Sequence, residues 1–204
     1  MEAERVSGTE GYDDTEAMVR RFEAIPFAAL HEPVLKLLPK PPARMLDIGA
    51  GSGRDAAGFA ALGYRVTAVE PMAGLRRRAA SLHPSPSIEW VDDSLPELAR
   101  MTARGEIFDV VMLTGVWMHL AETQHRRAMP IVARFVRAGG VLGLSLRHGP
   151  VPTGRRMFPV SGDETIALAA ESGFEKILRL DDQPAFSTDP AVHWTLLAFR
   201  KRAR

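Results

Sequence analysis

Met45-Leu46-Asp47-Ile48-Gly49-Ala50-Gly51-Ser52-Gly53-Arg54-Asp55 carries an apolar run into three glycines at alternate positions and then into the start of a helix. Glycine lets the backbone turn tightly and lets a ligand approach where a Cβ would stand in the way. The helix that follows presents free N–H groups and a positive dipole end to an anionic group. Twenty-one residues past Gly49, Glu70 closes a second apolar run, Arg65-Val66-Thr67-Ala68-Val69-Glu70-Pro71. A carboxylate at that spacing can accept both hydroxyls of an adenosine ribose. A glycine loop alone is a weak sign. Strand, loop, helix and spaced acid together point to a nucleoside cofactor.

Outward from this unit the pattern repeats. Short apolar runs at 44–48, 65–69, 87–90, 107–113 and 140–146 read as strands, and 54–62, 72–82, 95–100 and about 122–138 read as helices. Strands alternating with helices of this length make βαβ units and a parallel sheet buried on both faces. Gly63 and the pair Gly139-Gly140 stand where helix C-caps are wanted. A proline in a helix interior costs about 3 kcal/mol, so Pro130 is expected to start or kink the fourth helix. The runs 174–180 and 193–199 are joined by a loop rather than a helix, which predicts an antiparallel hairpin at one sheet edge. Residues 15–38 show helical spacing in two pieces, with Pro26 and Pro33 as the expected breaks. Pro39, Pro41 and Pro42 then form a stiff joint. The chain thus divides into an N-terminal helical lid or cap over 1–40 and a single domain over 41–204.

Composition narrows the function classes. The 204 residues, 46% hydrophobic and 25% charged, suit one soluble domain. Cysteine is absent, which excludes disulfides, thiolate metal sites and cysteine nucleophiles. A net charge of +1 supplies no strong field for nucleic acid or a membrane surface. No apolar run approaches the roughly 18 residues of a membrane-spanning helix. The opening MEAERVSGTEGYDD is too polar and acidic for a signal or transit peptide, so the expected location is cytoplasmic. Nothing in the sequence specifies an oligomeric state.

Two cofactor classes fit the loop. Gly51-Ser52-Gly53-Arg54-Asp55-Ala56 matches a dinucleotide fingerprint, so an NAD(P)-dependent oxidoreductase is one reading. Asp47 argues against it, because an acid at the end of the first strand would repel a pyrophosphate and welcome an amine. The two tyrosines, Tyr12 and Tyr64, are not followed by a lysine at helical spacing, so the usual tyrosine–lysine pair for carbonyl reduction is missing.

Asp47-Ile48-Gly49-Ala50-Gly51-Ser52-Gly53 resembles the first motif of the class I S-adenosylmethionine-dependent methyltransferases. Val69-Glu70-Pro71 is similar to that family's second motif, and Val91-Asp92-Asp93-Ser94-Leu95-Pro96 to the loop after its third strand. Phe108-Asp109-Val110-Val111, with Trp117-Met118-His119-Leu120 after it, resembles strand four and its sequel. Phe135-Val136-Arg137-Ala138-Gly139-Gly140 resembles the turn into strand five. The resemblance runs from about residue 40 to the end. It implies an α/β fold, a doubly wound Rossmann-like sheet of seven strands with an antiparallel last strand and helices on both faces. It also implies that S-adenosylmethionine is the cofactor and S-adenosylhomocysteine the product. By position, Asp47 and the backbone of Gly49, Ala50, Gly51 and Gly53 would hold the methionine part, and Glu70 the ribose. Pro71 and Met72 would lie against adenine, Asp92 or Asp93, with Ser94, would receive its amine, and Leu113 and Thr114 would floor the pocket. Tyr12 lies in the segment that this family often folds over the cofactor.

Methyl transfer from a sulfonium asks the protein to align a nucleophile and exclude water. A base is needed only where the nucleophile arrives protonated. Leu113-Thr114-Gly115-Val116-Trp117 stands where DNA-adenine and glutamine methylators carry an Asn/Asp-Pro-Pro-aromatic motif, and no acid follows strand four to hold a metal. Metal-independent transfer to a small molecule is the expectation. An RNA or protein methyltransferase would share the cofactor site, but the basic face or recognition domain usual there is not evident. His119 is the candidate base. Trp117, Arg147 and His148 are candidate acceptor contacts, with Arg147 able to grip an acid through both its terminal nitrogens. Arg76, Arg77 and Arg78 read as solvated surface, and His31 and His193 as structural.

Overall fold

The computed structural model describes residues 8–184 and 189–203. Seven strands form one sheet in the order β3-β2-β1-β4-β5-β7-β6. They are β1 (Arg44–Ile48), β2 (Arg65–Val69), β3 (Ile88–Val91), β4 (Phe108–Thr114), β5 (Val136–His148), β6 (Phe174–Pro184) and β7 (His193–Lys201). β1 pairs in parallel with β2 and β4, while β7 runs against both β5 and β6. Crossover helices fill the gaps: α3 (Arg54–Ala61), α4 (Ala73–Leu82), α5 (Ala99–Arg104), α6 (Glu122–Phe135) and α7 (Gly162–Glu171). Ahead of the sheet come α1 (Thr15–Glu23) and α2 (Phe27–Leu35). No helix among the described residues is long and apolar enough to cross a membrane.

The central strands are mostly apolar because helices cover the sheet on both sides. Alternate residues face opposite ways. Leu46, Ile48, Val111 and Leu113 join a core packed by α6 and α7, while Met45, Val110 and Met112 join a second core with Ala56 and Phe59 of α3. The hairpin predicted from 174–199 is present, with β7 inserted between β5 and β6.

Five local expectations change. Pro130 lies inside an unbroken α6 on its solvent face, where the Arg126 carbonyl that it leaves unbonded can be hydrated. Pro33 likewise sits within α2, and only Pro26 marks a boundary, as the N-cap of that helix. The helix expected at 95–100 begins at Ala99, because Leu98 takes a positive φ and the Asp93 carboxylate accepts the Met101 amide of the first turn. Gly139 and Gly140 belong to β5 rather than to a helix end. A Cβ on Gly140 would come within 2.9 Å of the Asp109 carbonyl, beside the register shift between β4 and β5. Finally, α7 was not anticipated. Ser161 caps it by accepting the Glu164 amide at 3.3 Å, with Asp163 and Glu164 in its first turn.

Phe59 ties α2, α3 and the sheet together. Its ring meets Phe27 edge-on at 4.8 Å and Tyr64 at 5.8 Å, and it is fully buried. Phe59→Ala is expected to lower the unfolding free energy by about 3–5 kcal/mol, read from urea denaturation. A loss below about 1 kcal/mol, the level of a surface substitution, would show that α3 is not held by this contact.

Candidate active site

The carboxyl ends of β1, β2, β4 and β5 open into a cavity of about 360 Å³, roofed by residues 8–12, α1 and α2. This is the edge at which open α/β sheets bind ligands. The glycine loop curls over the end of β2. The amides of Gly49 and Ala50 both donate to the Val69 carbonyl, at 2.8 and 2.9 Å, and Gly53 donates to Ala50 at 2.9 Å. Gly49 must be glycine: its φ is +76°, and a Cβ would come 2.5 Å from Val116 Cγ2. The Gly51 amide donates to Glu70 Oε2 at 2.9 Å. These four N–H groups are therefore spent inside the protein, so Gly49, Ala50 and Gly51 meet the cavity without donors to offer a pyrophosphate. Gly53, expected at the cofactor, faces Trp90, His83 and Ala79 instead and does not line the cavity.

Two buried acids stand side by side here. Asp47, 1% exposed at the end of β1, has no hydrogen-bond partner for Oδ2. Burial first, and then the nearby charge of Asp55, push its carboxyl well above the usual range. Glu70 is held at both oxygens, Oε2 by Gly51 and Oε1 by the Met72 amide at 2.8 Å. Desolvation outweighs those bonds and raises it to about 7. Asp55 behaves oppositely: His31 at 3.0 Å and Arg54 at 2.7 Å hold it charged, well below its ordinary value despite burial. Arg76, expected to be solvated, donates to the Glu70 carbonyl and, at 3.0 Å, to Asp92. That pairing draws Asp92 outside the cavity lining, whereas Asp93 lines it and uses both oxygens on the amides of Ser94 and Met101.

The other sequence candidates separate in the same way. Tyr12, Pro71, Met72, Ser94, Thr114, His119 and Arg147 line the cavity. Leu113 and Trp117 do not. Both are in the core, Trp117 stacked on His125 at 4.6 Å, because the short 3-10 turn Trp117–His119 puts the indole inward and the imidazole outward. His148 points to the opposite side of β5 from Arg147, toward Thr195 Oγ1 at 2.9 Å and His193. Arg21, Phe22, Met157, Gln183 and Trp194 line the cavity without having been singled out, and Arg155 of the loop after β5 lines it too.

Tyr12 and His119, 107 positions apart, meet at 3.0 Å between the phenol oxygen and Nε2. The other ring nitrogen, Nδ1, faces the Arg156 carbonyl at 3.0 Å, and a carbonyl can only accept. The proton therefore sits on Nδ1, and Nε2 takes the phenol's hydrogen. Burial lowers the His119 pKa, reinforced by Arg155 and Arg147 and opposed by the Arg156 carbonyl and Glu10, so the ring is neutral at neutral pH. Burial likewise raises the Tyr12 phenol. Among the described residues, no group of three His, Asp or Glu side chains could hold a metal ion.

Residues 46–144 match the family model described as a methyltransferase domain. A search of curated protein sequences finds no match to the chain. Solved structures share the fold. An S-adenosylmethionine-dependent methyltransferase of Methanosarcina mazei is 16% identical, with a TM-score of 0.70 over 84% of this chain and 98% of that one. The 1,6-didemethyltoxoflavin N1-methyltransferase of Burkholderia thailandensis, solved with its namesake ligand and S-adenosylhomocysteine, is 24% identical, with a TM-score of 0.65 over 92% and 80%. The cyclase SpnF is 16% identical, with a TM-score of 0.69 over 86% and 81%.

The raised acid at Asp47 makes stability depend on pH. Its native form keeps a proton that the unfolded chain releases near pH 3.9, so this contribution is whole below that value and fades as pH rises. Asp47→Asn cannot ionise. Its stability relative to wild type is expected to increase steadily from pH 5 to pH 8 in urea titrations; a difference that is constant with pH would place Asp47 in a solvated setting.

Proposed function

The chain belongs to the class I S-adenosylmethionine-dependent methyltransferases, and from that premise we propose that it methylates a small-molecule acceptor by in-line displacement. The observation that carries the cofactor end is the orphaned Asp47 Oδ2, a buried acceptor on a residue that lines the cavity, beside a loop whose Gly49, Ala50 and Gly51 amides are already committed. A group with N–H donors and positive charge suits it, and a pyrophosphate does not. When bound, S-adenosylmethionine supplies a methyl group activated on a sulfonium. Asp47 would receive its ammonium, and Glu70 its ribose hydroxyls through the lone pairs that Gly51 and Met72 leave over. Pro71, Met72 and Ser94 would lie along the adenine, with Asp93 bracing that loop.

His119 is the base, acting through Tyr12. A proton leaving the acceptor passes to the phenol oxygen as the phenol's own hydrogen moves to Nε2, and Nδ1–H stays on the Arg156 carbonyl. Residues 8–40, the described part of the segment expected as a cap over 1–40, cover the site, since Tyr12, Phe22, Ile25 and Leu30 close one side of the cavity and keep water from the reacting atoms. The modest size of this space supports a small acceptor over a nucleic acid or protein chain, and the Burkholderia structure holds a small acceptor in the same fold.

Two substitutions separate binding from chemistry. Glu70→Ala is expected to weaken S-adenosylhomocysteine by roughly 1.5–3 kcal/mol through lost charge-assisted hydrogen bonds, measured by calorimetry; unchanged affinity in a folded variant would put the ribose elsewhere. His119→Ala should leave that affinity intact while cutting turnover on a protonated acceptor by about 10²–10⁴-fold, assayed by transfer of labelled methyl to an acceptor panel. The wild-type rate should fall on the acid side with an apparent pKa below 6.5, the ordinary histidine value. Turnover that survives the substitution would remove His119 from the mechanism.

A further inference from the structure

One face of the last three strands paves the far end of the cavity. Ser145 and Arg147 stand two apart on β5, Leu196 and Trp194 lie opposite them on β7, and Gln183 pairs with Trp194 from β6. Ser145 is committed, its hydroxyl accepting the Gly115 amide at 2.8 Å. Arg147 is not. Partly buried, it makes no hydrogen bond or ion pair with any described residue, and neither does Arg21, which reaches the same cavity from α1. Arg155 closes over them from the loop after β5, its guanidinium 3.6 Å from the centre of the Tyr12 ring. Burial disfavours the Arg147 charge, and so do Arg21 and Arg155, with Asp189 offsetting part of the repulsion.

Acids and bases are thus sorted across one space. Asp47, Glu70, Asp93 and the Asp55–Arg54 pair line the glycine-loop end, while Arg21, Arg147 and Arg155 gather where an acceptor would enter. Arg147 and Arg155, both partly buried, repel one another, the exposed Arg21 adds to that repulsion, and the cost is withdrawn when an anion enters.

We propose that this end is an anion subsite and that the methyl acceptor carries a carboxylate, gripped through both oxygens by Arg147. The guanidinium fork matches a carboxylate in plane and spacing, as a lysine would not. Trp194, next to Arg147 across the ladder, offers a flat wall for the rest of the acceptor, and Tyr12 waits at its reacting end. The inference rests on the methyl-transfer reading, because it takes the acceptor to bind beside the cofactor.

The test titrates protein saturated with S-adenosylhomocysteine. The probes are benzoate, indole-3-acetate and hexanoate, each beside its primary amide, with phenyl phosphate as the phosphate arm. At least one acid should bind tenfold or more tightly than its amide, by a margin that shrinks as salt rises. Arg147→Gln should abolish that margin without changing S-adenosylhomocysteine affinity, and Arg147→Lys should restore part of it. Acids and amides binding alike, no acid binding at all, or a preference that survives Arg147→Gln would overturn the subsite. Phenyl phosphate outcompeting every acid would overturn the choice of carboxylate. Failure of S-adenosylhomocysteine itself to bind is a separate result, which strikes the cofactor assignment and not the arginines.

Discussion

Two carboxylates are held out of water at the ends of β1 and β2, and the site is arranged around what keeps them there. Glu70 is tethered by the amides of Gly51 and Met72, and Arg76 braces the backbone beneath it. Asp47 has no partner for one oxygen. A buried acceptor without a partner costs on the order of 1–3 kcal/mol, and a ligand that brings donors recovers it. The Gly51 tether and the Val69 and Ala50 carbonyls together spend the N–H groups of Gly49, Ala50, Gly51 and Gly53, which leaves a motif that could have cradled phosphates short of donors. Neighbouring Asp55 carries its charge safely, because His31 and Arg54 hold it.

Around those two acids the fold distributes the remaining polarity. The parallel half of the sheet carries the acids, and the strands beside β7 carry Arg147, with Arg155 and Arg21 above it. The segment ahead of α1 brings Tyr12 down onto His119, where two weak polar groups, each desolvated, meet at the cavity wall.

What the sequence disclosed tracks how local the cause is. Strands β1 and β2, the glycine loop and the spaced Glu70 depend on neighbours within a few residues, and each stands where its pattern says. The hairpin of β6 and β7 was readable for the same reason. Pro130 misled, because its cost depends on whether the orphaned carbonyl faces water, a property of the helix's placement and not of its composition. Trp117 and His148 misled by one face: a strand or a short turn alternates sides, and a single step reverses inside and outside. Arg21, Gln183 and Trp194 carried no local signal, since they converge from α1 and the final hairpin only after the chain has closed. The partnership of Tyr12 with His119 is likewise a product of topology, although each residue was legible by itself. Asp93 showed its acidity in sequence but not its commitment to the backbone of α5.

The account turns on Asp47 receiving the cofactor's amino-acid part. The most direct measurement is a calorimetric comparison of S-adenosylhomocysteine, 5′-methylthioadenosine and NAD on the wild-type protein. Methylthioadenosine keeps the base and ribose and lacks the ammonium, while NAD brings a pyrophosphate to the glycine loop. S-adenosylhomocysteine is expected to bind most tightly, methylthioadenosine clearly less so, and NAD not at all. Equal affinity for the first two would leave Asp47 without a ligand, and binding of NAD would contradict the reading of the loop.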